Sequence, residues 1–207
     1  MTSTIDPKIL NHLKQDAMLK PLVENLTITV SQEENRVFHE LIRSIVSQQL
    51  STSAAATIYK RFLDLFESPE AISEQLKSIP FETLRSAGLS GQKAGYLVHV
   101  VDYFEANDLH DTDWTEWADE DIIHTLTQIK GVGNWTVEMI LMFSLNRPDV
   151  LPLDDLIIRN NMRKLYQIGS EKKQLIQDLT RIAESWRPYR SYACRYLWAA
   201  KSTPFIP

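Results

Sequence analysis

The stretch "IKGVGNWTVEMI", residues 129–140, decides the fold of this chain. Two glycines, Gly131 and Gly133, flank one valine between two segments that are otherwise helical in composition. Glycine adopts the left-handed conformation that ends many helices, so we expect Gly131 to end the first helix. Gly133 and Asn134 then begin a second helix, whose first N–H groups have no partner within it. Such a bare backbone admits a phosphate, which the helix dipole also attracts, although an ordinary tight turn is the alternative.

Helical periodicity dominates the sequence on both sides of this stretch. The apolar residues Phe38, Leu41, Ile42 and Ile45 are spaced i, i+3, i+4 and i+7, which places them on one face of a helix. The same spacing would continue to positions 48 and 49, but glutamines stand there. Further helices are predicted over residues 53–66, over 81–108 with a turn at Gly88–Gly91, over 119–128, over 172–186, and from Pro188 onwards. The segment "LTITVS", 26–31, is the one strand candidate, so the predicted fold class is all-α with about ten helices.

Composition excludes several classes of protein. The 207 residues are enough for one large core or two small lobes, and no run of about 18 apolar residues is present to span a membrane. The start "MTSTIDPKIL" lacks the features of a signal peptide. A single cysteine, Cys194, excludes an internal disulfide and a cysteine-rich metal site. These features favour a reducing intracellular compartment.

The distribution of charge is uneven. The net charge is −5, but residues 1–120 carry a net −9 and residues 121–207 carry a net +4. Fields act within a Debye length of roughly 8–10 Å, so a basic C-terminal part can face a polyanion while an acidic face points away. Chance asymmetry explains the same numbers equally well, so charge alone decides nothing.

The segment "LTQIKGVGNWTVEMILMF" resembles the helix–hairpin–helix motif of DNA glycosylases, with the hairpin at residues 129–135. Four further segments resemble the same superfamily in the same order, and together the five cover residues 35–200; they are "LIRSIVSQQLSTSAAATIY", "AGLSGQKAGYL", "VLPLDDLIIRNNM" and "WRPYRSYACRYLW". The branch most similar is the alkylated-base one, of the 3-methyladenine DNA glycosylase II type. The resemblance implies a two-lobed, all-α helix–hairpin–helix glycosylase domain over residues 1–207, with an active cleft between the lobes. It also implies no additional N-terminal α/β domain.

The resemblance separates two reaction mechanisms at Trp135. Bifunctional members of the superfamily have a lysine two residues after the second hairpin glycine, and its amine attacks the sugar and supports strand cleavage. Tryptophan cannot do this, and the neighbouring Lys130 lies before the glycines. The resemblance therefore implies a monofunctional enzyme, in which water displaces the base and the strand stays intact.

The catalytic carboxylate is expected in "LPLDDLIIRNN", where two acids stand at a predicted helix start. Simple helix capping is the alternative, because aspartate favours the N-cap and the first turn. Aligned to the family, Asp155 is the catalytic aspartate and Asp154 is the cap, with Asp154 kept as the fallback. An ionised carboxylate stabilises the positive charge that develops on the deoxyribose, and it can orient or deprotonate the attacking water.

The flipped base needs aromatic walls, and an alkylated purine carries a positive charge that electron-rich rings attract. Trp198 matches a family tryptophan that lines the substrate pocket, and Trp135 is expected near the same cleft. Tyr189 and Tyr192 are further candidates. Each of these rings, taken singly, is also a good core residue.

DNA contacts are expected from the hairpin residues Gly131, Gly133, Asn134 and Thr136, and from "IVSQQLS". In the family this second segment supplies the wedge that fills the gap left by the flipped base. Some relatives have leucine at the position of Gln49, so the wedge is either Gln49 or Leu50. We expect Gln48 to contact DNA or the substrate pocket, with a helix-capping amide pair as the alternative.

The resemblance thus predicts a glycosylase that flips and hydrolytically excises alkylated purines, such as 3-methyladenine and 7-methylguanine, from duplex DNA. Two alternatives stay open: a glycosylase for hypoxanthine or 8-oxoguanine, and a non-catalytic DNA-binding module. No cofactor is required, and a structural monovalent cation at the hairpin is the one ion considered. The expected partner is damaged double-stranded DNA bound by a monomer, with no membrane, in the nucleoid region of a bacterial cytoplasm or in a eukaryotic nucleus. Met139 and Leu156 stand where some broad-specificity relatives have tyrosines, which leaves the base range open.

Overall fold

The computed structural model describes residues 2–3, 5–31 and 36–200, and these form an almost entirely helical protein. Twelve α-helices lie within these ranges: α1 (Pro7–Leu13), α2 (Lys20–Asn25), α3 (Val37–Ser47), α4 (Thr52–Leu63), α5 (Ile72–Gln75), α6 (Phe81–Ser86), α7 (Gly91–Ala106), α8 (Asp119–Leu126), α9 (Asn134–Phe143), α10 (Leu156–Leu165), α11 (Lys172–Ala183) and α12 (Arg190–Ala199). The all-α prediction is confirmed. Within the described ranges, no helix has both the length and the apolar character needed to cross a lipid bilayer.

The strand predicted over residues 26–31 is reduced to its last two residues. Strand β1 (Thr2–Ser3) pairs with β2 (Val30–Ser31) in an antiparallel ribbon, with Thr2 opposite Ser31 and Ser3 opposite Val30. Residues 26–29 have no regular secondary structure. The β-branched composition therefore identified the place of the strand but overestimated its length.

The chain divides into two compact units. Unit 1 consists of Met1–Glu34 together with Leu141–Pro207, and unit 2 consists of Asn35–Ile140. The structure describes each unit by itself, so the predicted cleft between two lobes and the single-domain assignment over 1–207 stay predictions.

In unit 2, helix α3 lies against α4 and α7. The stripe predicted from sequence, Phe38, Leu41, Ile42 and Ile45, is buried, and Phe38 meets Phe104 of α7 edge-on with ring centroids 5.2 Å apart. The stripe stops before the two glutamines, because α3 ends at Ser47 and Gln48 and Gln49 lie in the turn before α4. The Ser51 hydroxyl then caps α4 by accepting from the Ala54 N–H at 3.4 Å.

In unit 1, α10 contacts α11 and α12, and the fully buried Trp186 lies just before α12. Asp16, from the N-terminal part of the unit, accepts from the Tyr166 hydroxyl at 2.7 Å and from the Trp186 indole N–H at 3.0 Å. The final helix begins at Arg190 and not at Pro188 as predicted. Tyr189, with φ −121° and ψ 31°, is outside the helical range and delays the start.

Candidate active site and nucleic-acid interface

The hairpin between α8 and α9 forms as the sequence predicts. Asp119, Glu120 and Asp121 stand in the first turn of α8, where the helix dipole favours acids. After α8 ends, the buried Ile129 and Val132 anchor the turn in the core, and the Val132 N–H donates to the Ile129 carbonyl at 3.0 Å. Gly131 adopts the expected left-handed conformation with φ 99°, but the prediction that it ends the first helix is wrong, because α8 already ends at Leu126 and Gly131 lies in the turn that follows.

The two hairpin glycines serve different needs. A Cβ on Gly131 would lie 2.4 Å from ring atoms of Tyr96, so this glycine is required by a close contact as well as by its backbone. Gly133 is outside the left-handed region, and a Cβ there would have no described atom within 4 Å. The Gly133 carbonyl accepts from the Thr136 and Val137 N–H groups at 3.0 and 3.2 Å and so begins α9. Nothing in the described chain therefore demands a glycine at 133, and its bare surface suits an external ligand.

The other predicted hairpin residues divide by exposure. Asn134 and Trp135 are exposed, and Lys130 is exposed just before the glycines. Thr136 is only 4% exposed, so its side chain lies below the surface. A contact of Thr136 with DNA stays a prediction. Its buried side chain can contribute to DNA binding only indirectly, by supporting the start of α9.

The turn between α3 and α4 holds its two glutamines differently. Gln48 is half-buried, and its side-chain Nε2 donates to the Gly131 carbonyl at 3.0 Å. Gln49, with φ 57°, and Leu50 are both exposed, so the choice between them as the wedge stays open. The assignment of Gln48 to the substrate pocket also stays a prediction.

Lys93 on α7 is a further residue at this turn, and the sequence did not single it out. Its Nζ donates to the Val46 carbonyl in the last turn of α3 at 2.8 Å, and burial lowers the pKa of this lysine. The residue stands within the quoted segment "AGLSGQKAGYL", but no spacing rule connects it with a residue 47 positions earlier.

Asp155 is buried and is itself the N-cap of α10. Its Oδ1 accepts from the Ile157 and Ile158 N–H groups at 2.8 and 2.9 Å, and the residue is 4% exposed. The prediction that Asp154 caps the helix is wrong, since Asp154 is exposed and lies one residue too early in the turn. Burial of a charged group is costly unless it is hydrogen-bonded, and these backbone donors offset that cost.

Trp198 connects α12 with this carboxylate. Its indole N–H donates to Asp155 Oδ1 at 3.1 Å, while its ring stays 36% exposed and lies 5.7 Å from the Phe143 ring. The side chain therefore both touches the carboxylate and presents an aromatic surface. Tyr189 and Tyr192 instead lie against each other, with Tyr189 also against His12.

The irregular segment 144–155, which ends at Asp155, is fastened along α12. Arg190 donates from Nε to Asp149 Oδ1 at 2.6 Å, and the Val150 N–H donates to the Ser191 hydroxyl at 2.9 Å. Arg195 donates to Asn146 Oδ1 at 3.2 Å and to the Met142 carbonyl, and its guanidinium lies over the Phe143 ring. Burial lowers the pKa of Arg195. One helix thus holds the segment at successive points, and the last of them is the carboxylate itself.

This arrangement provides a buried carboxylate at a helix N-terminus with exposed apolar groups beside it. Leu156, the first residue of α10, is 61% exposed, and the exposed Trp198 ring contacts the same aspartate through its N–H. A carboxylate with little access to water interacts strongly with a nearby positive charge. The geometry therefore suits a reaction in which positive charge develops on the substrate.

Comparisons with known proteins agree with the five motifs. The family model described as "HhH-GPD superfamily base excision DNA repair protein" matches residues 42–186 of this chain. DNA-3-methyladenine glycosylase 1 of Schizosaccharomyces pombe is 36% identical over 182 residues, which are 87% of this chain and 79% of that protein.

Two solved structures are similar over almost the whole chain. A DNA-3-methyladenine glycosidase from Bacillus halodurans superposes with a TM-score of 0.80 at 35% identity, covering 98% of this chain and 93% of that one. A 3-methyladenine DNA glycosylase of S. pombe in complex with abasic DNA superposes with a TM-score of 0.81 at 34% identity, covering 97% and 100%. The family match spans the α3–α4 turn, the hairpin and the Asp155 cap, and the chain belongs to the HhH-GPD superfamily of base excision DNA repair proteins.

Proposed function

We propose that this protein is a monofunctional DNA glycosylase that excises alkylated purines, of the 3-methyladenine and 7-methylguanine type, in base excision repair. Relatives named as DNA-3-methyladenine glycosylases, at 36% identity and as solved structures, support this function. The observation that carries it is the buried Asp155 carboxylate, fixed by two backbone N–H groups and by the indole of an exposed tryptophan.

The reaction that fits this site is hydrolysis of the N-glycosidic bond. As the bond lengthens, positive charge develops on the deoxyribose, and the Asp155 carboxylate stabilises it. The same carboxylate orients or deprotonates the water that attacks the sugar carbon. An N3- or N7-alkylated purine already carries positive charge, so it departs as a neutral base without a general acid.

Recognition of the extruded base is assigned to exposed aromatic rings. Trp198 and Trp135 are 36% and 39% exposed, which is unusual for so large an apolar residue. Electron-rich indole faces attract a cationic base more strongly than a neutral one. This preference supports alkylated purines over hypoxanthine or 8-oxoguanine, which are neutral.

The grip on DNA is assigned to two segments of unit 2. The exposed hairpin residues Gly133 and Asn134 present helix N–H groups to a phosphate. In the α3–α4 turn, Gln49 or Leu50 fills the gap that the extruded base leaves. The proposed partner is damaged double-stranded DNA bound by a monomer, in the bacterial nucleoid or the eukaryotic nucleus.

A structural monovalent cation at the hairpin belongs to this proposal. The carbonyls of Ile129 and Gly131 each accept one described hydrogen bond, and a carbonyl oxygen has a second lone pair for a cation; the Gly133 carbonyl already accepts two. Such an ion would add positive charge next to the phosphate. Replacing K⁺ by tetramethylammonium at constant ionic strength should then weaken binding to undamaged duplex DNA. Equal affinity in the two salts would mean that no such ion contributes to binding.

The decisive test is base release from duplexes that each carry one lesion. We expect release of 3-methyladenine and 7-methylguanine, with hypoxanthine and 8-oxoguanine released far more slowly. Preferential release of a neutral lesion would favour the alternative glycosylase, and binding without any release would favour the non-catalytic module. Met139 and the 61% exposed Leu156 are the positions to vary if the range proves narrow.

A further inference from the structure

Two side-chain hydrogen bonds hold the α3–α4 turn near its start. Lys93 Nζ donates to the Val46 carbonyl at 2.8 Å, just before the turn, and Gln48 Nε2 donates to the Gly131 carbonyl at 3.0 Å, within it. All four residues belong to unit 2. The second bond joins the turn directly to the hairpin, which lies 83 positions further along the chain.

The position of Lys93 is that of an internal support. Val46 is among the last four residues of α3, whose carbonyls have no partner within the helix, and a cationic donor at this end also complements the helix dipole. Lys93 is half-buried, and burial lowers the pKa of its amine. Its hydrogen bond to the Val46 carbonyl places the amine at the end of α3, just before the turn.

Between these two bonds and the next helix lies strained backbone. Gln49 has φ 57°, a left-handed conformation that residues with a side chain seldom adopt. Such a conformation persists only where the surroundings enforce it. The bonds made by Lys93 and Gln48 immediately precede Gln49, and Gln49 and Leu50 are the residues that the turn exposes.

We propose that Gln48 and Lys93 are positioning residues that hold the turn and the hairpin as one preformed surface. The proposal deepens the proposed function, since this is the surface assigned to DNA. A preformed surface avoids the loss of conformational entropy that ordering a loop on DNA would require. Its benefit falls mainly on base extrusion, because the wedge must already point into the duplex when the base leaves.

The first experiment needs no DNA. Gln48→Met keeps the approximate length of the side chain and removes its donor, and Lys93→Met does the same for the lysine; Gln15→Met and Lys60→Met are matched controls at exposed positions. Amide hydrogen exchange of residues 48–51 should accelerate about tenfold in both test variants, and Gln48→Met should also accelerate residues 130–134. Exchange within twofold of the unaltered protein at these amides would overturn the proposal.

The second experiment separates positioning from direct contact. Single-turnover excision of 7-methylguanine is measured in a normal pair and opposite an abasic site, where extrusion requires less energy. For Gln48→Met and Lys93→Met we expect the single-turnover excision rate to fall about tenfold on the normal pair and less than threefold opposite the abasic site. Their affinity for undamaged duplex DNA should equal that of the unaltered protein. An equal loss on both substrates would mean that Gln48 touches the base or sugar, and would overturn the positioning role. If the unaltered protein excises nothing, the proposed function fails. The hydrogen-exchange experiment would still test whether the bonds made by Gln48 and Lys93 hold the turn.

Discussion

At the scale of the residue, Asp155 combines two tasks in one carboxylate. It begins α10 by accepting two backbone N–H groups, and it holds the indole N–H of Trp198 on the same oxygen. From the sequence, the cap is assigned to Asp154 and the catalytic role to Asp155, because adjacent acids at a helix start are indistinguishable by propensity. The bond to Trp198, 43 positions away, could not be predicted from any periodicity.

Asp155→Asn should abolish base excision while the protein stays folded. Asparagine caps helices about as well as aspartate, so α10 keeps its start, but the charge that stabilises the sugar cation is lost. We expect a fall of at least about 100-fold in the single-turnover rate, with duplex affinity kept or improved. Asp154→Asn is the matched control, and a dead Asp154→Asn with an active Asp155→Asn would move the catalytic role by one residue.

Trp198→Phe tests whether the indole acts through its N–H or only through its face. Phenylalanine keeps an aromatic surface but removes the donor that contacts Asp155 Oδ1. If the bond sets the position of the carboxylate, kcat falls about tenfold with little change in KM, in line with one lost hydrogen bond to a charged group. A change confined to KM would mean that Trp198 acts only through its aromatic face, as a wall of the pocket, and does not position the carboxylate.

Trp135 predicts the absence of strand cleavage. A lyase needs an amine within bonding reach of the sugar carbon, and tryptophan provides none. Lesion DNA should therefore yield an intact strand with an abasic site, cleaved only by hot alkali, and borohydride should trap no covalent complex. Efficient trapping of the unaltered protein would contradict monofunctional chemistry, and Lys130→Met would be the first variant to examine.

At the scale of the element, local sequence explains part of the hairpin, and contacts with distant elements explain the rest. Its existence and the left-handed Gly131 follow from local chemistry, so the sequence predicted both. The contact of Gly131 with Tyr96 and the bond from Gln48 arise from α7 and the α3–α4 turn, and local reasoning does not reach them. For the same reason the start of α12 was misplaced, since Pro188 favours a helix start but the Tyr189 backbone decides it.

The two glycines should separate stability from binding. Gly131→Ala forces a left-handed alanine against the Tyr96 ring, so the melting temperature should fall by several degrees, for a cost of about 1–3 kcal/mol. A Cβ at position 133 meets no described atom, so Gly133→Asp should leave the melting temperature nearly unchanged, yet weaken binding to every DNA sequence alike. Unchanged affinity of Gly133→Asp at moderate salt would remove the hairpin from the interface.

At the scale of the whole molecule, the charge division and the structural division do not coincide. The basic stretch begins at residue 121, whereas unit 2 continues to residue 140 and includes the hairpin. Composition could reveal the asymmetry but not the units, because unit 1 is assembled from both ends of the chain. The bonds from Tyr166 and Trp186 to Asp16 are part of what joins those ends.

Asp16→Ala should therefore destabilise the protein without touching the candidate site. It leaves the indole N–H of the fully buried Trp186 and the hydroxyl of the half-buried Tyr166 without their acceptor, at a cost of about 1–3 kcal/mol for the buried indole N–H. Urea unfolding should show a lower midpoint, and excision at 25 °C should stay near normal. Asp154→Ala, at an exposed position, serves as the control. An unshifted urea midpoint for Asp16→Ala would mean that the hydrogen bonds to Asp16 do not stabilise the protein.

The discontinuity of unit 1 has a consequence for synthesis on the ribosome. Unit 2 has all its residues once residue 140 has emerged, whereas Leu13 and Leu19, which are buried in the finished protein, must wait for the segment after residue 141. We expect unit 2 to fold first and to shorten the effective loop that unit 1 must then close. When residue 140 has emerged from the ribosome and Asp155 has not, the nascent chain would present a finished hairpin without the carboxylate, so on the proposed function DNA binding would become possible before base excision.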